Sequence, residues 1–369
     1  MTPQDCCFSV LLQKVYNVKE MEMLVARVRR KLGKGKHYET IRGENASLPD
    51  KMLARLVNQK YAVVGEHSAA KLCHWAGESL RGRGECYKSR FYGISSHRCL
   101  QCTPVLQFCN HACVFCWRMM PERDKYGDVK GFEWEEPEKI AAGLVAGQKT
   151  LVAGFGGNSE VAKSLYVEAL SPKHVALSLT GEPTMYPKMD KLLAEFHSRG
   201  MTTFVVTNGT LPEAVAKWKT MPTQFYVSMV APNEEVYQKF IRPSTPGLWK
   251  KYLRTLGMMP DIGKKTRTVL RMTIARGVND CDLEGYAAQI KLAQPHYVEV
   301  KSMVFVGGAR EPERGLTLDS MLKMGEIKEI AEKLAKATGY LFTDEHAPSR
   351  VALLCRDGKT ERERKIKWQ

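Results

Sequence analysis

The chain lacks any apolar run long enough to cross a membrane. Its first residues, MTPQDCCFSVLLQKV, lack a basic start and a small-residue cleavage site, so no secretory signal is expected. Without export, its 11 cysteines are poorly explained by disulfides, which persist in oxidising compartments. Metal or redox chemistry in the cytoplasm accounts for them better. Acidic residues are also few: 40 Asp and Glu stand against 56 Lys and Arg, for a net charge of +16. Solubility needs far less. An excess of this size points to a polyanion, and nucleic acid is the first candidate. The 369 residues, 44% of them hydrophobic, suffice for one barrel-sized domain and a smaller appendage.

The most informative stretch is Cys109-Asn110-His111-Ala112-Cys113-Val114-Phe115-Cys116-Trp117-Arg118, which reads C-x3-C-x2-C. Three thiolates in one short loop can ligate three irons of a [4Fe–4S] cluster and leave the fourth iron open to substrate. A zinc knuckle is the alternative. Structural zinc takes four ligands, usually as two separated pairs, and His111 would have to supply the fourth from within the same loop. The spacing resembles the radical S-adenosylmethionine superfamily, in which the cofactor's methionine amino and carboxylate groups chelate the open iron.

Along the chain, residues 1–60 read as a basic helical extension. Residues 61–102 hold a second group of cysteines: Cys73, Cys86 and Cys99, each thirteen apart, and Cys102. From 103 to 345, strands and helices alternate. Strands are expected at 104–108, 174–180, 202–207, 224–230, 267–275 and 296–305, from their Val, Ile, Phe and Thr content and bounding turn residues. Helices are expected at 187–199, 211–218, 233–241, 246–257, 283–293 and 319–337, with an insertion at 120–170 holding helical content at 137–149 and 160–170. Six interleaved strands predict an α/β fold, an incomplete (β/α)6 TIM-like barrel with its site at the C-terminal strand ends, preceded by an N-terminal helical extension that carries the second cysteine group. Residues 346–369 read as a basic tail.

At those strand ends fall the cysteine loop, Thr180-Gly181-Glu182-Pro183, Asn208-Gly209, Ser228, Arg271 with Arg276, and Glu299 with Lys301. Thr180–Pro183 resembles the radical superfamily's GGEP-type motif, with Thr180 in place of the first glycine. That resemblance makes Thr180, Gly181, Glu182, Asn208, Ser228 and Arg271 the candidate contacts to S-adenosylmethionine.

Taken together, AAKLCHW, ECYKSRFYGI, HRCLQCTP, CVFCWR, LSLTGEPT, TTFVVTNG, VEVKSM and SRVALL resemble the archaeal tRNA 4-demethylwyosine synthase family over about residues 61–355. The resemblance implies a radical enzyme, a carbon–carbon lyase of wyosine biosynthesis. Its substrates would be N1-methylguanosine beside the anticodon of tRNA-Phe and pyruvate, two carbons of which close the third ring. It implies that Cys109, Cys113 and Cys116 hold the radical cluster, that Cys73, Cys86 and Cys99 hold a second [4Fe–4S] cluster, and that Lys88 forms an imine with pyruvate. Cys102 stays unassigned. A lowered Lys88 pKa is expected from a nearby cation or burial, with Arg90 and Arg98 near in sequence. Eukaryotic relatives carry a flavodoxin-like domain for which this chain has no room, so a separate donor such as a ferredoxin or flavodoxin is expected. Trp117 and Arg118 are candidates to hold the extruded base, with Trp75, Tyr87, Phe91 and Tyr92 behind them. A monomer is expected. Two competing readings remain: a radical enzyme acting on a peptide or small metabolite, and a zinc-stabilised RNA-binding protein without catalysis.

Overall fold

A computed structural model of the chain describes residues 56–118, 129 and 131–368. The expected basic helical arm therefore lies outside the described residues except for 56–60, as does the part of the insertion at 120–128 and 130. The sheet begins with an antiparallel hairpin, β1 (Tyr61–Val64) and β2 (Ser68–Lys71). Helices α1 (His74–Leu80) and α2 (Tyr87–Tyr92) lead to β3 (Cys99–Thr103). From β3, parallel pairing runs in chain order through β4 (His174–Leu177), β5 (Thr202–Thr207), β6 (Gln224–Met229), β7 (Arg267–Ile274) and β8 (Tyr297–Ser302). The last strands are β9 (Leu341–His346) and β10 (Val351–Cys355), and β10 lies antiparallel to β8 with β9 outside it.

Parallel neighbours need long crossovers, and helices supply them. They include α3 (Pro137–Ala153), α4 (Met189–Ser198), α5 (Leu248–Ile262), α6 (Leu283–Ala293) and α7 (Met324–Thr338). In α5, buried Leu248, Trp249, Tyr252, Leu256, Met259 and Ile262 recur at helical spacing, which lays one face on the sheet. Proline opens α3, where its missing N–H costs nothing.

Three expectations change here. The first parallel strand is Cys99–Thr103 rather than 104–108. Pro104 has no N–H to give a ladder, and the chain leaves the sheet there, with Leu106 N–H donating to His67 O (2.7 Å). The boundary expected at 102/103 therefore falls inside a strand. Residues 61–71 are a hairpin, not part of a helical extension. The basic tail is shorter than expected, because Val351–Cys355 is a fully buried strand. Beyond it, Arg364 and Arg90 both grip Asp344 (2.8 and 2.7 Å), and Trp368 Nε1 donates to Gly93 O (2.8 Å). Burial alone would raise the Asp344 carboxyl, but these two arginines outweigh it and hold it below the ordinary range.

Alternation along the strands sorts the two faces. Leu100, Cys102, Val175, Leu177, Val205, Val227, Leu270, Met272, Val298 and Val300 join the core beneath the helices. The other face carries Phe204, Tyr226, Val269 and Tyr297, which pack against Tyr87, Phe91 and Tyr92 of α2. Helix α2 thus covers the inner face of the sheet. Burying each of its aromatics is worth ~1.5–3 kcal/mol.

Candidate active site

The cysteine loop follows β3 at the C-terminal end of the parallel strands. Its backbone is held by distant segments. Ala112 N–H donates to Ile241 O (3.0 Å) and Val114 N–H to Phe240 O (2.9 Å). Both carbonyls belong to a wide π turn, Tyr237–Ile241, of a kind that recurs at functional sites. From the other side, Arg314 Nη1 donates to Cys113 O (3.2 Å) and Cys116 O (2.8 Å). Burial pushes the three thiols up, and Cys113 is pushed further by both Cys109 and Cys116, so the three converge.

His111 does not complete a zinc set. Its Nε2 shares a hydrogen bond with Tyr237 Oη (2.6 Å), and burial holds its pKa down at about 3. Among the described residues no three His, Cys, Asp or Glu side chains lie close enough to hold one metal ion. Around a single tetrahedral zinc, sulfurs sit ~3.8 Å apart. Thiolates on separate irons of a cluster sit wider. Three thiols with no fourth ligand from His111 suit a cluster with an open iron better than a closed structural zinc site.

The Thr180–Pro183 turn packs directly on this loop. Gly181 has φ +72°, and a Cβ there would overlap Val105 O and crowd Phe108 O. Both facts require glycine. Gly181→Ala is expected to cost about 3 kcal/mol or more. The midpoint of anaerobic denaturant unfolding measures this, and an unchanged midpoint would show that the turn can be re-routed. Thr180 O accepts from Thr103 Oγ1 (2.6 Å). The Glu182 carboxylate is fully engaged. It accepts from Thr184 N–H (3.0 Å), Thr184 Oγ1 (2.6 Å), Thr207 Oγ1 (2.6 Å) and Asn208 N–H (2.6 Å). Burial still leaves its pKa raised. Asn208 in turn donates through Nδ2 to Asn110 Oδ1 (2.7 Å), and Asn110 Nδ2 donates to Thr210 Oγ1 (2.8 Å). This relay ties the end of β5 to the cysteine loop.

The earlier cysteines form a second gathering. Burial and Cys73 push the Cys86 thiol up to about 11, and burial, Cys73 and Cys86 push Cys99 up to about 12. Cys102 does not join them. It is fully buried on the helix-side face of β3, in the hydrophobic core. Positions 99 and 102 are three apart on a strand, so their side chains point to opposite faces.

Lys88 projects from α2 onto the inner face, 7% exposed. Its Nζ lies 4.9 Å from the ring centroids of Phe204 and Tyr226. Burial lowers its pKa, and Arg271 lowers it further. Arg90 and Arg98 are not the cause: Arg90 pairs with Asp344, and Arg98 donates to Ser171 O (3.0 Å). Positions i and i+2 on a helix do not face each other. Around Lys88, Glu299 accepts from Arg271 Nε (2.8 Å), Tyr87 Oη (3.0 Å) and Tyr92 Oη (2.9 Å). Lys301 Nζ donates to Ser349 O (2.8 Å), and burial with Arg271 holds its pKa at about 8.

The structure therefore splits the expected cofactor contacts. Thr180, Gly181, Glu182 and Asn208 lie against the cysteine loop. Arg271 belongs to the Lys88 cluster, with Ser228 beside it in register on β6. Arg276 is a surface residue paired with Glu326 (2.7 Å). Of the aromatic candidates, Phe91 and Tyr92 are core and Tyr87 is nearly so, while Trp117 is 38% exposed beside the loop. Arg118 is buried and donates to Tyr61 Oη (3.3 Å). Sequence reasoning missed Arg314, Asn110, Thr207, Thr210 and Tyr237. Only Asn110, inside the motif, carried a local signal.

Parallel strands with three converging cysteines at their C-terminal ends define a radical S-adenosylmethionine α/β enzyme. The Radical SAM superfamily matches residues 103–290, and the family described as wyosine base formation matches 292–356. Over 317 residues the chain is 44% identical to the S-adenosyl-L-methionine-dependent tRNA 4-demethylwyosine synthase of Pyrococcus abyssi, covering 85% of this chain and 91% of that protein. The enzyme of the same name from Methanocaldococcus jannaschii is 39% identical over 311 residues, covering 83% and 96%. A solved structure of TYW1 with a lysine–pyruvate adduct bound matches with a TM-score of 0.76 at 36% identity, covering 86% of this chain and 99% of that one. The chain belongs to the tRNA 4-demethylwyosine synthase family of tRNA-modifying radical enzymes.

Proposed function

We propose that this enzyme joins two carbons of pyruvate to N1-methylguanosine beside the anticodon of tRNA-Phe, forming the tricyclic 4-demethylwyosine base. The observation that carries the reading is Lys88: a buried amine over the Phe204 and Tyr226 rings, on the inner sheet face, next to a gathering of three cysteines. Cys109, Cys113 and Cys116 would hold the radical cluster, and Thr180, Gly181, Glu182 and Asn208 would shape the S-adenosylmethionine site. Cys73, Cys86 and Cys99 would hold a second [4Fe–4S] cluster in the segment before the barrel. The six parallel strands would curve as an incomplete (β/α)6 barrel around both. When bound, the reduced radical cluster with S-adenosylmethionine supplies a 5′-deoxyadenosyl radical able to take hydrogen from an N-methyl group.

The chain's own residues do the rest. Lys88 Nζ attacks C2 of pyruvate; the C–N bond forms and the keto oxygen leaves as water. The imine holds the carbons to be added at a fixed point on the inner face. Burial opposes ionisation of Glu299, but Arg271, Lys88 and Tyr92 outweigh it and keep the carboxylate ionised, and Tyr87 helps to fix it. Trp117, exposed next to the loop, offers a ring for the extruded base to stack on. The +16 charge suits a tRNA partner. A separate one-electron donor, such as a ferredoxin or flavodoxin, would serve a cytoplasmic monomer. No helix among the described residues is long and apolar enough to cross a membrane.

The test is an anaerobic reaction of reconstituted enzyme with N1-methylguanosine-containing tRNA-Phe, S-adenosylmethionine, reductant and labelled pyruvate. Nucleoside mass spectrometry should find a tricyclic base carrying two pyruvate carbons. Deoxyadenosine without a labelled nucleoside would overturn the substrate assignment.

A further inference from the structure

The basic tail meets the N-terminal ends of the strands, far from the cysteine loop. A recess of about 520 Å³ opens there, lined by Lys173, His197, Met201, Thr202, Lys367 and Trp368. Lys367 is exposed and Lys173 half-buried. A second recess shares Met201 with it and holds Lys149 and Arg199. Among the described residues no Asp or Glu lines either recess. Lys173 immediately precedes β4 and Thr202 opens β5, so this is the end of the sheet opposite the cysteine loop. The six residues of β5, at ~3.3 Å each, put the two ends about 20 Å apart. The wall of the recess leads to the second cysteine group. Trp368 packs edge-on against His174, with ring centroids 4.6 Å apart. His174 is the register partner of Cys99 on the neighbouring parallel strand, so their side chains lie side by side on the inner face. Ser95 N–H donates to His174 Nε2 (3.1 Å), and Ser96 Oγ accepts from Cys86 N–H (2.9 Å). One tryptophan and one histidine thus stand between the basic recess and Cys99.

Positive charge here suits an anionic partner. The tRNA base has to enter at the C-terminal strand ends, where the cysteine loop lies, so the opposite end is poorly placed for it. A separate electron donor has the reverse need: a surface clear of the tRNA and close to an iron–sulfur group. Redox encounters between proteins use small interfaces, and complementary charge steers them. We propose that the recess formed by Lys173, Lys367 and Trp368 is the docking surface for an acidic one-electron carrier protein with a flavin or iron–sulfur centre. This deepens the function proposed above and rests on its need for a separate donor. The carrier loses one electron and the iron–sulfur-loaded enzyme gains it, and no bond forms or breaks at this surface. The proposal also gives the basic tail a role. Ile366 N–H donates to Tyr92 O (2.8 Å), which holds Lys367 and Trp368 at the recess.

The experiment uses the iron–sulfur-loaded enzyme under anaerobic conditions, with the hydroquinone of an acidic flavodoxin as the probe. Stopped-flow absorbance follows flavodoxin oxidation. A carbodiimide, which joins carboxylates to lysines, fixes the complex for peptide mass spectrometry. Cross-links should fall on Lys173 and Lys367. K173E/K367E should slow flavodoxin oxidation about 10- to 100-fold at low ionic strength, and high salt should shrink the difference. Dithionite-driven 5′-deoxyadenosine formation and tRNA affinity should stay within about twofold of native. Iron content and circular dichroism report folding. If K173E/K367E does not fold, K173Q/K367Q decides by the same comparison, with a smaller loss expected. Native-rate flavodoxin oxidation in a folded variant, or cross-links confined to another face, would overturn the proposal. So would a fall in tRNA affinity with donor rates unchanged, which would give this face to nucleic acid. If native enzyme and dithionite yield no 5′-deoxyadenosine, the proposed function fails separately. The cross-links then decide the surface: at Lys173 and Lys367 they support it, and elsewhere they overturn it.

Discussion

Replacing Cys113 with alanine is expected to reduce 5′-deoxyadenosine formation to background. Cys113 would be the middle ligand of the loop, and it is the thiol on which both neighbouring cysteines act. Its loss leaves two donors for a cluster that needs three, and a cluster's binding energy is shared among ligands already positioned by the fold. The positioning here is unusually indirect. The loop hangs from Phe240 and Ile241 on one side and from Arg314 on the other, so its shape does not depend on Cys113 itself. The protein should therefore fold and keep the Cys73, Cys86 and Cys99 group intact. Iron analysis of C113A, reconstituted anaerobically, should fall by about one four-iron cluster relative to native protein. Deoxyadenosine at native rates would remove the loop from the reaction. Loss of all iron would mean that the two cysteine groups do not load independently.

Much of this was legible in the sequence because it is local. C-x3-C-x2-C lies within eight residues, and strands β5 to β8 announce themselves through Val, Phe and Thr between turn residues. Strand β3 does not, because its inner face carries Cys99 and Gln101, which look nothing like a buried strand. Misplacing it by five residues hid the alternation that separates Cys99 from Cys102. Strand β10 reads as tail in the sequence because SRVALLC is short and sits next to a charged run. The site's supports were beyond reach for a different reason. Arg314 contacts Cys113 from 201 residues away, and Glu299 meets Tyr87 from 212 away. Such pairings depend on which strands become neighbours, and spacing in sequence holds no record of that. The lowered Lys88 pKa is expected from burial or a nearby cation, but sequence cannot say which cation. The cation that acts on it comes from β7, not from its own helix.

The sharpest division between chemistry and mere charge comes at Lys88. Lys88→Arg keeps a cation of similar length over Phe204 and Tyr226, and guanidinium stays charged at any workable pH. It cannot lose water with a ketone to form a stable imine. If Lys88 serves only as a buried positive charge or a phosphate contact, K88R should retain most of the tricyclic product. If it forms the imine, K88R and K88A should both fall below detection, a loss of at least about a thousandfold against the native rate. Borohydride trapping with pyruvate should then give no lysine adduct in either variant. Iron content and thermal midpoint serve as the structural controls. They matter most for K88A, which leaves a gap among aromatic rings and removes a cation near Glu299. K88R carries the weight of the argument for that reason, since it keeps the charge that steadies Glu299 while removing the one reaction an amine can perform here. Product formed by K88R at near-native rates would end the imine mechanism and leave the second cysteine group as the place to look for the pyruvate carbons.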